Sequence, residues 1–149
     1  MEFICANESE TIKLGQNLAD FAQCGDTFAL YGTLGMGKSV LARAFVQKLT
    51  NATEVPSPTF TLVQCYEAAD FDIYHFDLYR IKSPEEVFEL GMEEAVYQGV
   101  CLIEWPEKMG AYLPKNIFKI EIENFGTGRK ITINSSDEQK QRRLTALEC

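Results

Sequence analysis

The string Gly32-Thr33-Leu34-Gly35-Met36-Gly37-Lys38-Ser39 restricts this chain more than any other feature. It fits GxxxxGK[ST], a loop whose glycines let main-chain N–H groups turn inward around phosphate oxygens without Cβ clashes. The pattern carries weight only where a strand precedes it and a helix follows. Phe28-Ala29-Leu30-Tyr31 is a continuous apolar run, as expected of a strand buried on both faces. After the loop, Val40, Leu41, Ala44, Phe45 and Leu49 recur at helical spacing. A helix starting near Lys38 points its positive dipole end at the loop. Lys38 adds a full positive charge for β and γ phosphates, and the Ser39 hydroxyl is a Mg²⁺ ligand of the expected kind. The expectation is a nucleoside triphosphate site rather than an ordinary glycine turn.

Such a loop calls for a carboxylate to complete the metal site. Glu104 ends the apolar strand Val100–Ile103, and Asp77 ends a second predicted strand, Phe71–Asp77. In open α/β sheets, ligands sit beyond the carboxyl ends of strands. The plainer role for either residue is a helix cap or a salt bridge. The guanine-recognition string NKxD and the switch string DxxG do not occur, so ATP is favoured over GTP.

The chain has 149 residues, enough for one domain with an unaided core. We expect residues 1–135 to form that domain and residues 136–149 a polar tail or short helix. Strands alternate with helices early, at Glu2–Ala6, an Asn7-capped helix to about Gln23, and Phe28–Tyr31. Strands Thr61–Tyr66 and Phe71–Asp77 follow, then a helix opened by Ser83-Pro84-Glu85-Glu86. Ile117–Glu123 and Arg129–Asn134 form a late hairpin. The fold class is therefore α/β, three-layered, with a mixed, mainly parallel central sheet.

Fourteen basic against twenty-two acidic residues give a net charge of −8. Such a surface repels phosphate backbones, so unaided tight binding to nucleic acid, DNA included, is not expected. The five scattered cysteines and single histidine exclude a paired zinc site and fit reduced, buried thiols of a cytoplasmic protein. No apolar run is long enough to span a membrane, and no signal peptide pattern opens the chain.

Some features carry two readings each. His75, on a predicted strand, is either a core residue or part of the site. Trp105 packs in the core, beside a nucleotide or against a partner. Lys140, Arg142 and Arg143 are either solvated or face RNA phosphates or an acidic partner. The Thr53–Thr61 loop is either a proline-stiffened connector or a nucleotide-sensing switch, with the Thr59 hydroxyl aimed at Mg²⁺ or a γ-phosphate.

GTLGMGKS at 32–39, SPTFTLVQCYE at 57–67, HFDLYR at 75–80 and LIEWPEK at 102–108 follow one another in a single small acidic chain. Together they resemble the TsaE (YjeE) family, bacterial ATPases of tRNA threonylcarbamoyladenosine biosynthesis, from about Thr11 to Arg129. The resemblance implies a P-loop NTPase fold that binds ATP or ADP with Mg²⁺ and hydrolyses ATP slowly. It implies work with the TsaD–TsaB complex, which transfers a threonylcarbamoyl group to an adenosine next to the anticodon. Hydrolysis would reset that complex, and tRNA would be met only through it. The resemblance implies ATP binding at Gly32, Gly35, Met36, Gly37, Lys38, Ser39 and Val40, with Ser39 and Glu104 as metal ligands. Lys38, Asp77 and Glu104 would be catalytic, Asp77 by orienting the attacking water, and Thr59 would sit in the switch. Thr11, Gly128 and Arg129 would close on the nucleotide base. Thr33 departs from the acidic residue common at its position. Arg43 and Arg80 are in-chain candidates for a stabilising arginine. The competing functions are a small-molecule kinase, which needs an arginine-rich lid, and a nucleotide-gated binding module whose hydrolysis is incidental.

Overall fold

Burial pattern decides where each strand lies. Thr27–Tyr31 (β2) is buried at its first four residues, and Gly99–Glu104 (β5) at all six. Strands of that kind belong inside a sheet covered on both faces. The others are Glu2–Cys5 (β1), Val63–Glu67 (β3), Asp72–Asp77 (β4), Phe118–Phe125 (β6) and Gly128–Ser135 (β7). The structure is a computed structural model that describes residues 1–33 and 37–147. Among these residues the strands form one seven-stranded sheet, ordered β1-β7-β6-β2-β5-β4-β3, with β2 and β5 side by side in its middle.

The four central strands β6, β2, β5 and β4 are mutually parallel. β1 on β7, β7 on β6 and β3 on β4 are antiparallel. The sheet is mixed as expected, but it is not mainly parallel, since three of the six pairings run antiparallel. The cause is local. Residues 68–71 between β3 and β4, and 126–127 between β6 and β7, are too few for a parallel crossover.

Helices cover both faces. Glu8–Phe21 (α1) and Lys38–Leu49 (α2) pack on Phe28, Leu30, Val100, Leu102, Phe118 and Ile120. Glu86–Glu89 (α3), Met92–Gln98 (α4) and a 3-10 segment, Pro106–Tyr112, cover Phe76, Cys101 and Ile103. β5 thus sends residues 100 and 102 to one core and 101 and 103 to the other, as two-residue periodicity requires. Phe118 stacks on Phe28 with ring centroids 5.0 Å apart, and Phe45 closes on Phe28 at 5.7 Å. Among the described residues no helix is long and apolar enough to cross a membrane.

Asn7 caps α1 by accepting the Glu10 N–H at 3.1 Å, and Glu10 reaches back to the Ala6 N–H at 3.2 Å. Gly128 has no room for a side chain, because a Cβ there would lie 2.1 Å from the Cys5 carbonyl oxygen. The helix expected from Ser83 begins only at Glu86. The Glu86 carboxylate accepts the N–H groups of Lys82 and Ser83, which closes a turn before the helix starts. Of the cysteines, Cys5 and Cys101 are buried, but Cys24 and Cys65 are exposed, so the expected set of buried thiols is only partly realised. Burial pushes the Cys101 thiol up to about 12.

Residues 136–147 are not a loose appendage. Glu138–Arg143 (α5) brings Leu144 and Leu147 into the core beneath α1. Arg143 donates to both oxygens of buried Asp26, at 2.9 and 2.8 Å, and its guanidinium lies over Phe21 and Phe118. Lys140 approaches the same carboxylate at 3.7 Å. Two of the three basic residues in this cluster are therefore turned inward, and neither the solvated nor the RNA-facing reading holds for them. Removing one partner of a buried pair strands the other charge, which costs about 3 kcal/mol. Arg143→Ala should lower unfolding free energy by about that amount in denaturant titration. Arg142→Ala, at an exposed residue paired among the described residues only to Glu138, should stay within about 0.5 kcal/mol of the parent.

Candidate functional site

Strand register brings the charged residues together. β4 and β5 run parallel with Asp77 opposite Glu104 and His75 opposite Leu102. Ile73, Val100 and Leu102 lie in the core under α1 and α2, so His75, Asp77 and Glu104 share that face. Asp77 and Glu104 end their strands on the side where α2 begins, the edge at which parallel sheets receive ligands.

α2 starts after Gly37, whose φ of +97° belongs to the left-handed region. A Cβ there would meet nothing, so conformation rather than space demands glycine. No side chain caps the helix at this point. Its first-turn N–H groups are left for a ligand or water, and the dipole favours an anion. That turn lines a cleft of about 300 Å³ with Glu8, Ser57, Thr59, Asp77, Glu104, Trp105 and Arg129. A smaller hollow of about 210 Å³ shares Glu8, Gly37, Val40 and Arg129 and adds Asn7, Thr11, Thr127 and Gly128.

Most of the expected site residues therefore meet here. Gly37, Lys38, Ser39, Val40, Thr59, Asp77, Glu104 and Arg129 line the larger cleft, and Thr11 and Gly128 the smaller one. Gly32 joins through its carbonyl, which accepts from Lys38 Nζ at 2.6 Å. Gly35 and Met36 lie outside the described residues. Arg43 lines a separate hollow on α2 with Gln47 and Lys48, and Arg80 sits over the exposed Phe60 ring. Neither arginine lines this cleft. A roomier hollow, about 440 Å³, lies between α1 and the C-terminal segment. Its one cation, Arg143, is already committed to Asp26, so size does not mark the chemistry here.

Lys38 is a buried ammonium in an acidic setting. Burial lowers its pKa, while Glu104, Glu107 and Asp77 oppose that shift. Its Nζ lies 3.9 Å from the centroid of the Trp105 ring, a cation–π contact. Trp105 has φ +59°, and a non-glycine residue in that region costs roughly 1–2 kcal/mol. Tyr79 supports the indole at 4.9 Å.

The two carboxylates are held differently. Asp77 accepts the Thr59 hydroxyl on Oδ2 and the Tyr79 N–H on Oδ1, both at 3.0 Å. Ser57 lies 2.7 Å from Thr59, so the 57–62 loop is tied to Asp77 by its hydroxyls. Leu62, with φ +69°, closes that loop, donating to the Pro58 carbonyl and accepting the Asp77 N–H. Glu104 Oε2 meets His75 Nε2 at 2.7 Å, with both side chains almost wholly buried. His75 therefore stands behind the cleft, touching Glu104 without lining it. Its place on the Asp77 face was visible in the sequence, but its partner was not. Trp105 likewise turns out to cover Lys38; Ser57 stood in a quoted string without a role, and Glu8 had no motif to announce it.

A family model described as threonylcarbamoyl adenosine biosynthesis protein TsaE matches residues 5–131. The tRNA threonylcarbamoyladenosine biosynthesis protein TsaE of Rickettsia felis is 40% identical over 138 residues, 90% of this chain and 81% of that protein. Its namesake in Bacillus subtilis is 36% identical over 131 residues, 87% of this chain and 82% of that one. A crystal structure of YdiB from Bacillus subtilis matches with a TM-score of 0.80 at 29% identity, covering 99% of this chain and 93% of that one.

Trp105 is the only tryptophan, so its emission reports on Lys38. Raising the pH should change that emission at a midpoint below the ordinary lysine value of 10.5, as the buried ammonium loses its proton. Lys38→Met should abolish the step. A step that persists in this variant would show that Lys38 is not its source.

Proposed function

Because the chain belongs to the TsaE family of threonylcarbamoyl adenosine biosynthesis proteins, we propose that it is a P-loop ATPase of that pathway. It binds ATP with Mg²⁺ at the 300 Å³ cleft, hydrolyses it slowly and acts in the cytoplasm on the TsaD–TsaB complex, meeting tRNA only through that complex. The observation that carries this reading is the uncapped N-terminus of α2 with Lys38 and Ser39, facing Asp77 and Glu104 across one cleft.

The donors present suit Mg²⁺. Among the described residues no three His, Cys, Asp or Glu side chains cluster as a protein cage. Mg²⁺ needs none, since it is commonly held by one or two protein oxygens together with substrate phosphates and water. Ser39 and Glu104 would supply those oxygens, and the ion would neutralise charge on the β and γ oxygens. Lys38 now donates to its own loop at Gly32, and on binding ATP it would exchange that carbonyl for phosphate oxygen. A carboxylate has about four acceptor positions, of which Asp77 has used two. It can therefore accept a hydrogen bond from the attacking water while Thr59 and Tyr79 fix its orientation. Thr11, Gly128 and Arg129 would border the base end. A slow intrinsic rate is reasonable, because Arg129 is the only arginine lining the cleft among the described residues. A stabilising cation from the partner would raise it. No arginine-rich lid of the kind a kinase uses borders the site among the described residues.

A hydrogen bond to a charged group is worth about 1.5–3 kcal/mol. Lys38→Ala should therefore weaken ATP binding by roughly 10–100-fold in calorimetry, at 1.4 kcal/mol for each tenfold change. Asp77→Asn should keep ATP affinity within about threefold and cut hydrolysis by about 100-fold or more. TsaD–TsaB should stimulate turnover of the parent protein, and Lys38→Ala should support no threonylcarbamoyladenosine formation in a reconstituted system. Wild-type ATP affinity in Lys38→Ala, or full tRNA modification by it, would defeat the proposal.

A further inference from the structure

We infer that His75 is the positioning residue for Glu104. By holding Oε2, it aims the other carboxylate oxygen, Oε1, at the cleft and thereby sets the affinity of the site for a divalent cation. The inference rests on the reading of Glu104 as a metal ligand in an ATP site.

Geometry carries it. β4 places His75 two residues before Asp77 on the face shared with Glu104. The ring thus lies diagonally below Glu104, within reach of a long side chain, and its Nε2 lies 2.7 Å from Oε2. A carboxylate oxygen accepts, so the hydrogen lies on Nε2. The other ring nitrogen, Nδ1, is buried with no hydrogen-bond partner among the described residues. Glu104 is therefore the one polar contact that accounts for a buried imidazole at this position. Leaving a buried polar atom unpaired is costly, and a residue needed only for packing would not incur it. Glu104 is nearly as buried as His75, yet it lines the cleft. An unsupported glutamate has several rotamers. One with Oε2 fixed from below has a single orientation in which Oε1 meets the cleft. Groups that orient metal-ligating carboxylates in this way typically change metal affinity by about 10–100-fold when removed.

The test measures ATP affinity by calorimetry on the full chain across a series of free Mg²⁺ concentrations and in EDTA. In the parent protein, Mg²⁺ should tighten ATP binding. If it does not, the metal-site reading itself fails, whatever His75 does. His75→Leu fills the space without a donor and should raise the half-saturating Mg²⁺ concentration roughly tenfold. Its affinity for ATP in EDTA and its thermal midpoint in the absence of ligand separate this effect from simple damage, and EDTA affinity should stay within threefold. His75→Gln keeps an N–H donor near the Nε2 position and should restore the parent Mg²⁺ dependence. Equal Mg²⁺ dependence in the Leu and Gln variants would overturn the inference, as would an equal loss of affinity with and without Mg²⁺. Should His75→Leu yield no folded protein, His75→Asn, polar but too short to reach Glu104, replaces it with the same expected result. Failure of both variants to fold would assign the pair to the fold and likewise overturn the inference.

Discussion

The parallel pairing of β4 with β5 is the constraint on which the rest of the structure depends. Their register sets Asp77 beside Glu104 at one edge of the sheet, directly across from the start of α2. Two carboxylates so close repel one another, and the fold answers each separately. Asp77 is held by a hydroxyl and a main-chain N–H, Glu104 by an imidazole, and the Lys38 ammonium lies between them and the loop. A shift of one residue in that pairing would turn one of the two carboxylates into the opposite core.

Strain concentrates at the same edge. Leu62 and Trp105 are the two non-glycine residues with positive φ among the described residues; Trp105 lines the cleft, and Leu62 accepts the N–H of Asp77, which lines it. Trp105 follows Glu104 at the end of β5, and Leu62 precedes β3, across from Asp77 at the end of β4. Leu62 folds the hydroxyl-bearing loop back on Asp77, and Trp105 swings its ring over Lys38 immediately after Glu104. Residues in such conformations persist only where surrounding contacts over-determine them. Here the over-determining contacts are the Asp77 N–H bond to the Leu62 carbonyl, and the packing of Tyr79 on the indole.

Much of this was legible in the sequence because it is local. The glycine loop between a buried run and an amphipathic helix, the Asn7 cap, the late hairpin and the carboxylates at strand ends are all fixed within a few residues of themselves. Four things were not legible, and each is long-range. The third antiparallel pairing, β1 on β7, joins segments more than a hundred residues apart. The partnership of His75 with Glu104 depends on a pairing across 29 residues of chain. The inward turn of Arg143 depends on Asp26, more than a hundred residues earlier, and nothing in the polar composition of 136–147 reveals it. The tie between the Thr59 hydroxyl and Asp77 spans 18 residues of chain, and the prolines of that loop do not announce it.

The layout of the sheet also governs when the molecule can become itself. β1 pairs with β7, so Phe3 waits for Ile131, and Asp26 at the head of β2 waits for Arg143. During synthesis the early segments leave the ribosome long before their neighbours exist. Phe28 lacks its stacking partner until Phe118 on β6 has emerged. The core therefore cannot close until β7 and α5 have emerged, and until then the early segments expose apolar surface.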